Sequence, residues 1–132
     1  MTVIPEAYLD LLTTKAPLAH LATIMPDGSP QVTPLWFDYT GGLIRVNSAK
    51  GRVKSRNMTE GAPVALSIVD PDNGYRYIQI RGKVSKTTTE GGDAHIDSLA
   101  KRYLGLDSYP YRNATEVRMI FEITPTSVQT MG

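Results

Sequence analysis

The chain has 132 residues, 41% of them hydrophobic and 20% charged, which is the size and make-up of one ordinary globular domain rather than a disordered segment. Its formal net charge of +1 supplies no bulk field for nucleic acid or an anionic membrane, so any anion site must come from local clustering. The absence of cysteine excludes disulfides, thiolate metal sites and cysteine nucleophiles together.

Ile4 to Leu12 opens with a proline suited to a first helical turn, and Tyr8, Leu11 and Leu12 share a face, which predicts a short amphipathic helix. Leu18 to Met25 reads as a strand. Pro26-Asp27-Gly28-Ser29-Pro30 is a turn, and Gln31 to Tyr39 reads as one return strand. Gly41-Gly42 turns the chain again into a third strand, Leu43 to Ala49, to complete an antiparallel meander. A short helix is expected around Val53 to Met58, ended by Gly61. Val64 to Val69 is a fourth strand, β-branched and apolar. After the turn Asp70 to Gly74 comes a long strand, Tyr75 to Lys86. Ile78, Ile80 and Val84 occupy one of its faces; Tyr77, Gln79, Arg81 and Lys83 occupy the other. Asp93 to Leu104 is a second helix with Ile96, Leu99, Ala100 and Tyr103 on its apolar side. Tyr109-Pro110-Tyr111 is loop. Val117 to Ile123 is the last strand, with Val117, Met119, Phe121 and Ile123 turned inward.

Six strands with only short helices predict a mainly β fold, a closed or nearly closed antiparallel barrel, in a single domain over residues 1–132; closure removes exposed strand edges. A barrel this small fills its interior with side chains. A large ligand then sits outside it, most naturally at a subunit contact. No apolar run approaches the ~20 residues of a membrane helix. Met1 to Leu12 carries acids and a proline rather than a basic and then apolar leader, so the expected location is cytoplasmic.

The segment Asn47 to Asn57 carries the most chemistry. Lys50, Arg52, Lys54 and Arg56 fall on alternate positions at a strand-to-helix junction. Arginine offers a planar fork to phosphate and lysine a mobile point charge. Arg52 and Arg56 stand one helical turn apart, as do Lys50 and Lys54, so two cations can meet one phosphate while the others face a second anionic group or water. The alternative is a solvated helix face. The spacing is neither a Walker loop nor a Rossmann fingerprint.

Taken together, these segments resemble a known family. Leu21-Ala22-Thr23-Ile24 followed by Asp27 to Phe37 is similar to the opening hairpin of the pyridoxamine 5'-phosphate oxidase-like split-barrel superfamily. Ile44 to Ser48, continuing to Lys54 to Met58, resembles that superfamily's cofactor-phosphate segment. Tyr77 to Gly82 resembles its next long strand. Within the superfamily the chain most resembles the actinobacterial branch of oxidoreductases that use the deazaflavin coenzyme F420 rather than FMN. The resemblance implies a six-stranded split β-barrel and a homodimer with cofactor sites at its interface. It implies a ring bed from Gln31, Thr33, Pro34, Leu35, Trp36, Asn47 and Ser48. It implies phosphate contacts from Arg52 and Lys54, with Lys50 and Asn57 nearby, and Tyr77 close to the site, from either subunit. The additional basic and aromatic segments that clamp pyridoxal phosphate are missing, which argues against that activity.

The activity this implies is hydride transfer from reduced F420 to an electron-poor small molecule, an activated C=C or a quinone-like group. FMN-dependent chemistry on the same fold, and a non-catalytic protein that stores or shields F420, are the alternatives. No catalytic acid or base is assigned. Trp36 serves core packing or a dimer contact, or else stacks at the substrate mouth. Tyr77 either contacts the cofactor ring or is a half-buried strand tyrosine. Tyr103, Tyr109 and Tyr111 line a pocket near the second helix or fill core and loop positions. His20 and His95 are too far apart for metal-ligand spacing and read as structural or solvated. No nucleophile elbow surrounds any serine, and no nucleic-acid motif accompanies the basic cluster.

Overall fold

The computed structural model describes residues 4–132; Met1–Val3, which begin the expected domain, lie outside the described residues. The first element is a 3₁₀ turn, Glu6–Leu11, rather than an α-helix. Its Leu11 side chain, with the following Leu12, is fully buried. Seven strands follow, interleaved with two α-helices. They are β1 (Ala19–Ile24), β2 (Pro30–Leu35), β3 (Phe37–Thr40), β4 (Leu43–Ala49), α1 (Val53–Asn57), β5 (Pro63–Asp70), β6 (Asn73–Thr88), α2 (Gly92–Leu104) and β7 (Arg118–Met131).

All seven strands belong to one sheet, in the order β2-β1-β5-β6-β7-β4-β3, and every pairing is antiparallel. The two strands at the ends of that order are consecutive in the chain, separated by Trp36 alone. The sheet therefore curls until its edges meet at a covalent seam. This corrects the expected single return strand. Gln31 to Leu35 pairs with β1, whereas Phe37 to Thr40 pairs with β4, so the count is seven rather than six and the meander is split between opposite edges. Pro30 and Pro34 are tolerated in β2 because it is an edge strand, where a missing N–H breaks no ladder.

Alternation fills the barrel. Leu21, Leu35, Phe37, Ile44, Val46, Leu66, Ile68, Ile78, Ile80, Phe121 and Ile123 all belong to one buried cluster. β6 is long enough to pair with β5 and then with β7, and its register slips at Arg81/Gly82 and at Val84/Lys86. Such bulges bend and coil a strand. Gly82 makes the first possible: a Cβ there would stand 2.4 Å from the backbone oxygen of Thr124. The last strand runs to Met131, beyond the expected Ile123. Val117, expected to face inward, is 48% exposed, while Ile120 is buried. Val117 lies just before β7 begins, whereas Ile120 and Arg118 are on the face that α2 covers by packing on β4 and β7 from outside.

Candidate functional site

A cleft of about 260 Å³ opens beside the Trp36 seam. Its apolar bed comes from Pro34 and Leu35 of β2, Trp36, and Ile96 and Leu99 of α2; Tyr109 and Tyr111 of the following loop stand over it. Its charged wall is Arg52, Lys54 and Arg118, with Asn47 beside them.

The seam is held by aromatic contacts. Trp36 stacks on Tyr103 with ring centroids 5.3 Å apart and planes 8° from parallel. Tyr109 meets Trp36 edge-on at 6.0 Å and Tyr111 at 5.7 Å. The loop that carries both tyrosines is tied to α2. The backbone N–H of Tyr109 donates to Asp97 at 2.8 Å, and Arg112 pairs with Asp97 and Asp93.

The basic segment divides in two. Gly51 adopts φ +92°, a left-handed turn that glycine takes without strain, and the Ser55 hydroxyl donates to Ala49 O at 2.7 Å. Together they fold α1 back against the end of β4. Arg52 and Lys54 thereby face the cleft, whereas Lys50 and Arg56 line a separate hollow with Met119 and Phe121. The pairs are thus Arg52 with Lys54 and Lys50 with Arg56, not the one-turn pairs expected from an extended helix. With five residues, α1 has little macrodipole to offer, so the attraction for anions rests on the side chains.

That attraction is not cancelled internally. Glu116 accepts from Arg52 at 3.0 Å and from Arg118 at 3.3 Å, so two of the three cations share one carboxylate and Lys54 stands beside them. Burial, with Arg52 and Arg118 close by, pushes the Lys54 ammonium below its ordinary pKa. Burial likewise pushes Arg118 down, though a guanidinium stays protonated in proteins. The Arg118 guanidinium lies over the Tyr109 ring, 5.4 Å from its centroid.

Behind this wall runs a buried polar chain. Arg118 Nε donates to Asn47 Oδ1 at 2.8 Å. Asn47 Nδ2 lies 2.9 Å from Gly92 O and 3.1 Å from His95 Nδ1. His95 Nε2 lies 2.9 Å from Asp38 Oδ2, and Arg45 grips the same carboxylate with two bonds of 2.8 and 2.9 Å. Burial pushes the Asp38 carboxyl up, but the bonds from His95 and Arg45 outweigh it and hold it below the usual range.

Of the residues the sequence nominated, the structure brings Pro34, Leu35, Trp36, Asn47, Arg52 and Lys54 to the cleft. Gln31 and Asn57 instead form a tie between α1 and the first hairpin: Asn57 donates to Thr23 at 3.0 Å, and Thr23 donates to Gln31 at 2.8 Å. Neighbouring strand residues face opposite ways, so Ser48 turns toward the barrel interior while Asn47 faces α2. The hydroxyls of Ser48 and Thr33 are buried without a partner among the described residues. Tyr77 lies opposite Val69 and Met131, away from the cleft of this chain. Arg118, Leu18, Ile96 and Leu99 line the cleft without having been nominated. Arg118 carried no local signal, because it alternates with inward residues and reads as solvent-facing until α2 covers it. Among the described residues no group of three or more His, Asp or Glu side chains forms a metal-binding cluster, and no helix is long and apolar enough to cross a membrane.

A curled antiparallel sheet closed at a one-residue seam, with a basic and aromatic cleft outside it, defines a split-barrel protein. The chain belongs to the pyridoxamine 5'-phosphate oxidase family, which it matches over residues 4–132. Among solved structures it is similar to one named an F420 reductase, at 35% identity with a TM-score of 0.82, covering 96% of this chain and 98% of that one. It shares its fold with a conserved hypothetical protein from Mycobacterium tuberculosis, at 22% identity, TM-score 0.73, and 98% and 85% coverage. It also shares it with a FAD and heme binding protein from Mycobacterium smegmatis, at 19% identity, TM-score 0.69, and 98% and 71% coverage. None of the curated proteins matches.

Proposed function

We propose that the protein is a cytoplasmic F420-dependent reductase, one that delivers hydride to an electron-poor small molecule such as an activated alkene or a quinone. The observation that carries this reading is the wall of Arg52, Lys54 and Arg118 beside an aromatic bed. F420 bears a phosphate and further carboxylates, and three cations with one carboxylate between two of them keep a net positive charge for such an anion. The 35% identity to an F420 reductase over nearly the whole of both chains supports the same reading.

The residues present fit such a group by charge and by shape. When bound, a reduced deazaflavin supplies a hydride and no one-electron chemistry. Arg52 and Lys54 would hold the phosphate. Pro34, Leu35 and Trp36 would bed the ring system, and Tyr109 and Tyr111 would exclude water from it, which fixes the distance and angle of transfer. Gln31 and Asn57 would stiffen the junction of α1 with the first hairpin through Thr23. Among the described residues the cleft wall contains no carboxylate and no imidazole, and water would supply the proton that completes the reduction.

The lack of a carboxylic acid or imidazole in the cleft wall supports a second reading, a protein that binds and shields F420 without turnover. In either case the cleft is open on one side. The exposed Ile24 and Val32 on the first hairpin, 43% and 61% accessible, support a homodimer in which a second copy, through Tyr77 or its neighbours, completes the site.

The test is a fluorescence titration of purified protein with F420 and, in parallel, FMN. It is followed by oxidation of the reduced cofactor with a panel of alkenes and quinones. Tight F420 binding with acceptor-dependent oxidation supports the reductase, and tight binding without it supports the binder. Preference for FMN moves the protein to flavin chemistry. Binding of neither overturns the cofactor reading.

A further inference from the structure

Asn47 has a fixed orientation. An arginine Nε only donates and a peptide carbonyl only accepts, so the bonds to Arg118 Nε and Gly92 O settle which end of the amide is which. Its Nδ2 must then donate to His95 Nδ1, 3.1 Å away, because both N–H bonds of that nitrogen are needed for two acceptors. His95 Nδ1 is therefore the acceptor, and the ring proton sits on Nε2, directed at Asp38. The Asp38 carboxylate is itself held by two bonds from Arg45. Every link in this chain is assigned by its neighbours, and none can turn alone.

The chain ends on a charge at the cleft. Arg118 is 8% exposed and Asn47 is 6% exposed, yet both line the cleft that Arg52 and Lys54 enter. The Nε of Arg118 is occupied by Asn47 and its Nη1 by Glu116. Among the described residues Nη2 takes no hydrogen-bond partner, which leaves two N–H bonds to offer. A guanidinium set in one orientation at the cleft wall, with one nitrogen that makes no bond to the described residues, is prepared to meet an anion. The alternative, an arginine packed there only for the fold, would bury a cation beside two others with one shared carboxylate, one amide oxygen and the Tyr109 ring as its partners.

We propose that Arg118 directly contacts the anionic part of the bound cofactor, and that Asp38, His95 and Asn47 are positioning residues that hold its guanidinium in place. The proposal rests on the reading of the cleft as an anionic-cofactor site. It assigns Asn47 to act through Arg118 rather than as part of the ring bed, since its amide hydrogens are already spent. It also gives the buried His95 a purpose that neither metal binding nor acid–base chemistry supplies.

The experiment is a double-mutant cycle read by titration with F420, or with FMN should wild type prefer it, alongside thermal melts of the ligand-free proteins. Arg118→Gln is expected to weaken binding roughly ten- to hundredfold, the scale of lost charge-assisted hydrogen bonds. Arg118→Lys retains part of that affinity. Asn47→Leu weakens binding by a smaller factor, and in the Arg118→Gln background it adds less than about twofold, because sites that act as a unit are not additive. Should Asn47→Leu fail to fold, His95→Phe takes its place in the cycle with the same expectation. Multiplying losses, or full affinity in Arg118→Gln while wild type binds, overturn this proposal and leave the cofactor reading standing. If wild type binds neither cofactor, that reading falls and this proposal falls with it.

Discussion

Trp36 lies flat on Tyr103, 5.3 Å between ring centroids, so the residue that closes the barrel in sequence is clamped by a side chain from α2. The Tyr103 hydroxyl completes the clamp. It donates to Pro17 O at 2.7 Å and accepts from the Phe37 N–H at 3.3 Å. That N–H is the first of β3, at the point where the chain leaves one edge of the sheet for the other. Tyr103→Phe keeps the stacking and removes both bonds. It is expected to destabilise the protein by about 1–2 kcal/mol, a drop of roughly 3–8 °C in melting temperature, with cofactor affinity little changed. Trp36→Ala removes the ring itself and should lower both. Paired melts and titrations separate the two effects.

The division of the basic segment predicts unequal consequences for chemically similar substitutions. Arg52→Ala with Lys54→Ala should weaken F420 binding by roughly a hundredfold, since each loses a charge-assisted contact. The ligand-free melting temperature should stay nearly unchanged, because Arg52 is half exposed and Lys54 faces two other cations. Lys50→Ala with Arg56→Ala removes as much charge from the same stretch of chain. It should change affinity by no more than about twofold at moderate salt, since those side chains open on another hollow and bulk charge is screened over about 10 Å. Equal losses from the two pairs would mean that the cluster acts only as a diffuse field.

What the sequence disclosed and what it hid follow one physical distinction. Ile78, Ile80 and Val84 were legible as an inward face because alternation is local. The break at Trp36 was not, because Leu35 and Phe37 continue the same alternation through it; what changes there is the pairing partner. Arg118 and His95 were hidden for the same reason. The partners of His95, Asn47 and Asp38, stand 48 and 57 residues away, and no periodicity links them. The cations of the cluster were visible as composition. Their separation into two pairs depended on the turn at Gly51 and the length of α1, which are matters of a single residue's backbone.

A second charge network, remote from the cleft, should set the acid limit of the fold. The Asp70 carboxylate receives Lys15 at 2.7 Å, the Asp72 backbone N–H at 2.9 Å and Arg76 at 2.8 Å, and these hold its pKa far below the ordinary value. Arg76 also grips Asp10, so the network fastens the 3₁₀ turn to the β5–β6 hairpin. A carboxyl depressed in the folded state stabilises fully above its unfolded pKa, about 3.9, and that contribution is lost as the pH falls through lower values. Melting temperature should therefore decline steeply below about pH 4–5. Asp70→Asn should melt lower at neutral pH and show a shallower acid limb. A limb of unchanged slope would assign acid sensitivity elsewhere, with Asp38 the next group to examine.

The close approach of α2 to β7 makes the most demanding prediction. A Cβ on Gly92 would stand 2.1 Å from the backbone oxygen of Arg118 and 2.7 Å from its carbonyl carbon. Neither atom belongs to a side chain that can swing aside, and Arg118 is paired across the sheet with Ala49. Gly92→Ala must therefore lift the start of α2 and stretch the bond from Asn47 to Gly92 O. The cost should reach about 2–3 kcal/mol, the upper part of the overpacking range, and F420 affinity should fall as the Asn47–Arg118 pair loosens. Gly105→Ala is the control at the other end of the helix. Its φ of +73° makes alanine strained, but nothing lies within 4 Å of the added carbon. It should cost about 1–2 kcal/mol through backbone conformation alone and leave affinity intact. A Gly92 variant that melts and binds like the Gly105 variant would show that α2 can shift without moving Arg118, and so uncouple the helix from the cleft.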